Sequence, residues 1–120
     1  MDIDREQGRA GVSAAGRVQA AEAVALAASA LADAQAERLS TVLMDFRDLV
    51  LLRSLSTTEC YWVGEELARA GRGLGKVALV ARRECIEAHN FAITVARNRG
   101  LLMAPFVDQS EALRWLRCAN

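Results

Sequence analysis

The sequence predicts an α/β fold built on a mostly parallel sheet, and three observations carry that prediction. Short apolar runs alternate with longer stretches of helical spacing along the whole chain. The chain has 120 residues, an ordinary size for one domain, so residues 1–120 are expected to form one. The composition is 52% apolar and only 5% aromatic, which implies an aliphatic, alanine-rich interior. Strands separated by helices of this length form right-handed crossovers. The expected result is four β–α units around a four-stranded, or five-stranded, sheet.

The first strand is expected over Arg9-Ala10-Gly11-Val12-Ser13-Ala14-Ala15, where small apolar and polar groups alternate until Gly16. It is the weakest strand signal and is compatible with antiparallel pairing at an edge. Val18, Ala21, Val24, Ala28 and Leu31 then recur at helical spacing through about Arg38. Val42-Leu43-Met44-Asp45-Phe46 reads as a strand covered on both faces. The stretch from Leu49 to Leu55 is too apolar for a solvated loop and is expected to lie against the core.

Ser56-Thr57-Thr58-Glu59 is a capping box: the Ser56 hydroxyl accepts from the Glu59 amide, and Glu59 reaches back. The helix it opens carries Trp62, Val63, Leu67 and Ala70, and Gly71 or Gly73 stops it. Val77-Ala78-Leu79-Val80-Ala81 is the strongest strand signal. A helix follows from Glu84 to Asn98, ended by Gly100. Leu101 to Phe106 is the last strand, and Pro105 suggests an edge position or a strand end. Asp108-Gln109-Ser110-Glu111 repeats the capping pattern and opens a final helix with Ala112, Leu113, Trp115 and Leu116 facing inward.

Charge argues against nucleic acid, because 15 basic residues balance 15 acidic ones and alternate along the chain. Cys60, Cys85 and Cys118 are odd in number, widely spaced and free of any C-x-x-C pattern. They read as buried free thiols of a reducing compartment, with no metal site. The charged first residues carry no signal peptide, and the alanine-rich Val18–Ala36 stretch contains Gln19, Glu22, Asp33 and Gln35. A cytoplasmic protein without membrane insertion is expected.

Candidate chemistry is sparse, and no catalytic residue is assigned. His89, beside Asn90, has no nucleophile in motif context. Asp45 and Asp48 fall at the carboxyl end of a strand, where open α/β sheets hold ligands, but bonds to loop amides account for them equally well. Gly71-Arg72-Gly73-Leu74-Gly75 follows a helix and precedes a strand, the reverse of a phosphate-binding loop, and reads as a turn. Leu52, Trp62 and Trp115 are the candidates for an apolar ligand pocket; the alternative is that both indoles fill the core. No cofactor is expected.

The order of elements, the Val42–Phe46 and Lys76–Ala81 strands, and Phe106-x-Asp108-x-x-x-Ala112-x-x-Trp115-Leu116 together resemble the stage II sporulation protein AA-like group of STAS domains, the anti-sigma-factor antagonists. The resemblance spans about Arg5 to Leu116. It implies a four-unit β–α superhelix without catalytic residues, which binds a protein partner such as an anti-sigma factor or kinase. It also implies a phosphorylation switch at the start of a helix, which maps onto Arg53-Ser54-Leu55-Ser56-Thr57 here, with Arg53 where the family has Asp. The expected partner surface is therefore Arg53, Ser54, Ser56, Thr57 and Glu59, and a phosphate there would meet the helix N-terminus with Arg53 or Arg47 in reach. Other relatives enclose a lipid-like apolar ligand, which is the alternative function. A homodimer is plausible for a small neutral domain with an apolar surface segment.

Overall fold

The computed structural model describes residues 1–118. Nine elements follow one another: β1 (Asp2–Asp4), β2 (Arg9–Val18), α1 (Ala20–Ala36), β3 (Thr41–Leu51), α2 (Thr57–Ala70), β4 (Lys76–Val80), α3 (Arg83–Asn98), β5 (Met103–Phe106) and α4 (Gln109–Arg117). The five strands form one sheet in the order β1-β2-β3-β4-β5. β1 pairs antiparallel with β2, and every other pair is parallel.

The α/β class and the mainly parallel sheet are as predicted, and so is the edge position of β5 with Pro105 in it. Two expectations need correction. Strict β–α alternation fails at the start, because Asp2-Ile3-Asp4 adds a strand opposite Arg9–Gly11. The apolar stretch after Phe46 is not a connection throughout, since β3 runs on to Leu51 and stays paired with β2 as far as Val18↔Leu51.

That extension is possible because the β2–β3 register shifts between Ser13 and Ala15. Val42, Met44 and Phe46 face the interior before the shift, and Leu49 and Leu51 face it afterwards. A bulge changes which face a residue meets, so the two-residue period breaks while the apolar face continues.

Each parallel crossover advances one strand in the same direction, which puts α1, α2 and α3 on one face of the sheet. There Leu31, Leu67, Ile93 and Ala96 pack on Ala10, Val42, Met44, Val77 and Met103. On the other face α4 lays Ala112 and Leu116 over Leu43, Ala78 and Val80. The buried residues that meet are mainly Ala, Val, Leu and Met, the aliphatic core that the composition implied.

Capping decides where α2 and α4 begin. Ser56 Oγ accepts from the Glu59 amide at 3.2 Å, and Glu59 Oε1 accepts from the Ser56 amide at 2.8 Å, as predicted. Asp108 caps α4 by accepting from the Ser110 amide at 2.9 Å. The glycine cluster after α2 is the expected turn: Gly71 ends the helix and Gly73 takes φ +93°, which a side chain would disfavour. Among the described residues no helix is long and apolar enough to cross a membrane.

Candidate functional site

The carboxyl ends of β3 and β4 and the amino ends of α1, α2 and α3 meet at one rim of the sheet, the place where open α/β sheets hold ligands. Three features are built there: a capped, ion-paired helix start, an open groove between α1 and α2, and an apolar pocket beneath both.

Arg53, Ser54, Ser56 and Glu59 come together at the start of α2. Arg53 grips Glu59 with two bonds, Nη1 to Oε1 at 2.8 Å and Nη2 to Oε2 at 2.6 Å, and Nη1 also donates to the Ser54 carbonyl at 3.1 Å. Ser54 and Thr57 are exposed beside this pair. The Arg53 bonds, helped by the Ser56 amide, hold the Glu59 carboxyl down at about 2 against its usual 4.5. A depressed carboxyl stabilises the fold above its unfolded value, and that contribution disappears as pH falls through the folded one. Glu59→Gln should therefore flatten the fall of Tm between pH 4.5 and about 2. In Arg53→Ala an NMR titration should find the Glu59 carboxyl moved up toward 4.5.

Trp62 lies one turn further along α2 and is 62% exposed, so it does not fill the core. The helix turns Cys60, Gly64, Leu67 and Ala68 inward, and Trp62 falls off that arc. Across from it α1 presents Ala21, Val24, Ala25 and Ala28, whose short side chains leave an open groove of about 470 Å³. Leu55 lies at the Arg53–Glu59 end and Glu66 also lines the wall. The three residues considered for a ligand pocket do not converge. Leu52 is 49% exposed, and Trp115 sits on the opposite face of the sheet against Phe106 and Lys76.

A second, more apolar pocket lies between the sheet and the three helices, with a volume of about 110 Å³. Met44, Met103, Ala27, Leu67, Ala92 and Ile93 form its buried floor. Phe46, Leu49, Leu51 and Leu79 form its walls, with Cys85 and His89 beside them. Leu49, Leu51, Cys85 and His89 also line an outer cleft of about 210 Å³, so the pocket opens toward solvent. Val24 and Val63 separate it from the groove and line both.

His89 has a structural task. Its Nε2 accepts from the Leu55 amide at 3.2 Å and its Nδ1 lies 2.9 Å from the Cys85 carbonyl, a pattern that assigns the neutral Nδ1–H tautomer. The ring thereby ties the β3–α2 connection to α3, which is kinked at His89 (φ −122°, ψ 17°). Burial pushes the Cys85 thiol up, the opposite of an activated nucleophile.

Asp45 is not joined to His89. Arg47 binds both of its carboxylate oxygens, at 2.9 and 2.7 Å, and donates to Gln109 Oε1 at 2.9 Å. The Arg47 bond also holds the Asp45 carboxyl below its usual value. Asp48 is exposed. Of the three free cysteines only Cys60 is buried; Cys85 is half-buried and Cys118 exposed, which corrects the expectation that all are interior. Among the described residues no group of three His, Cys, Asp or Glu side chains is placed to hold a metal ion.

Comparison with known protein families, curated proteins and solved structures found no match. The site must be read from its own geometry.

The pocket was not legible in the sequence, because its floor is assembled from α1, α2, α3, β3 and β5, and no local pattern records that convergence. The groove had a signal: Ala21 and Ala25, which line it, are exposed on α1, where an ordinary surface helix is polar.

Proposed function

We propose that this chain is a non-enzymatic regulatory module of STAS type that acts in the cytoplasm by receiving a protein partner in the α1–α2 groove. The exposed indole of Trp62 over an apolar groove of about 470 Å³ carries the reading. Exposed tryptophans beside apolar surface are typical anchors of protein interfaces, and the paired charges of Arg53 and Glu59 supply the polar rim. A kinase-type or anti-sigma-type partner fits the same surface, because Ser54 and Thr57 stand exposed beside it. A phosphate on either would compete with Glu59 for Arg53 and alter the rim's charge. The apolar space of about 110 Å³ is well below the roughly 300 Å³ at which pockets for drug-sized ligands begin, which weighs against carriage of a whole lipid.

Trp62→Asp is the direct test. Because the indole is already exposed, the substitution should leave stability within about 0.5 kcal/mol of the parent. Affinity capture from the native host should recover a protein with the parent chain and at least about tenfold less with the variant, a loss of about 1.4 kcal/mol in binding. Equal recovery on both chains, or a lipid without any protein, would sink the reading. Light scattering on the purified chain distinguishes a second copy as the occupant, since a homodimer would be lost in Trp62→Asp.

A further inference from the structure

We infer that the interior pocket is a binding site for a neutral apolar group about the size of one aromatic ring. The inference goes beyond the groove and does not depend on Trp62.

Volume sets the size. An apolar cavity of roughly 150 Å³ takes benzene or xenon. The pocket here, at about 110 Å³, is slightly smaller, but Met44 and Met103 on its floor are unbranched and adjust their rotamers readily. Chemistry sets the charge. Among the described residues no Lys, Arg, Asp or Glu lines the space, the Cys85 thiol is kept protonated by burial, and both ring nitrogens of His89 are engaged. A charged group would be desolvated there without a partner. The thioethers of Met44 and Met103 and the ring of Phe46 favour an aromatic guest, since sulfur–ring and ring–ring contacts are favourable.

Place and access agree with this. The pocket sits toward the carboxyl ends of the parallel strands, reached through the outer cleft at Leu49, Leu51, Cys85 and His89. The α3 kink at His89 lies on that route. The guest is either a free small molecule or the terminal segment of a longer acyl chain, and the two share the same chemistry.

The chain has three methionines, and two of them form part of the pocket floor, so methyl-labelled methionine gives a direct NMR readout. Benzene and toluene should shift the Met44 and Met103 methyl signals saturably, with a dissociation constant on the order of 1 mM, and leave Met1 unmoved. At saturation Tm should rise by about 3–5 °C. Benzoate should do neither. Ala27→Leu, which fills the floor, should abolish both responses; Ala23→Leu, on the half-exposed wall, repeats the test where folding is less at risk. A tenfold preference for octanoate over benzene would assign the guest as an acyl-chain end, and the reverse a free ring. Absence of a saturable shift, or one that persists unchanged in both filled variants, would overturn the inference and leave a packing void only.

Discussion

Gly64→Ala should lower Tm by about 10 °C, corresponding to a loss of about 3 kcal/mol, in thermal or urea unfolding followed by circular dichroism. Gly64 is buried where α2 crosses α3, the most extensive helix–helix contact in the fold. A Cβ added there would lie 2.6 Å from the Ala92 carbonyl oxygen and 2.6 Å from Val95 Cβ. The first of these is backbone, so the helices must separate to admit one methyl group. The sign is informative, because on an open helix face the same change would stabilise by up to about 1 kcal/mol. A rise in Tm would show that α2 and α3 are not held at this distance. Separation would also loosen the pocket, since Leu67, Ala92 and Ile93 belong to the same two helices.

Lys76→Met should cost about 2–3 kcal/mol and release the end of α4. Lys76 begins β4 and is 7% exposed, an unusual place for a lysine. Its ammonium donates to the Trp115 carbonyl at 2.8 Å and the Cys118 carbonyl at 2.6 Å, and lies 5.1 Å from the centre of the Trp115 ring. These are carbonyls of a helix C-terminus, where a cation is favoured. Methionine keeps the length of the stem but offers no donor, so two carbonyls lose their partner. In a Trp62→Phe background, Trp115 fluorescence should report a more solvated indole before global unfolding. The loss should change little with salt, because a buried charge is poorly screened. Unchanged fluorescence and stability would mean that α4 is held by Ala112 and Leu116 alone.

Legibility in the sequence followed the range of the interaction. The Ser56–Glu59 box, the Asp108 cap and the Gly71–Gly75 turn depend on groups within a few residues, and each was readable. β4 was readable because its apolar run is continuous, and β5 lies at an edge, one of the two places Pro105 allowed, because a missing amide excludes it from a central ladder. β1 was not readable, since Asp2-Ile3-Asp4 is short and charged and acquires its strand character only by pairing with Arg9–Gly11. The end of β3 was hidden by the shift at Ser13–Ala15, which breaks the period used to recognise a strand.

The candidate site divides in the same way. Ser56 and Glu59 lie three residues apart, so their reciprocal cap was visible before any fold was known, whereas the Arg53–Glu59 pair is shown by the structure alone. The exposure of Trp62 was not legible, because whether an indole is buried depends on the height of the facing wall, and that wall is the alanine side of α1 some forty residues earlier. His89 had a visible identity but no visible task, since its partner is the Leu55 amide across the pocket mouth. By itself, the sequence determined the α/β class, the aliphatic core, most element types and the capped start of α2. The tertiary structure alone decided the added edge strand, the exposed Trp62 groove, the role of Lys76 and the methionine-floored pocket. Capping and hydrophobic period act over one or two turns of chain, whereas a groove or a pocket is the space left between elements, and its size is set by side chains that meet only after folding.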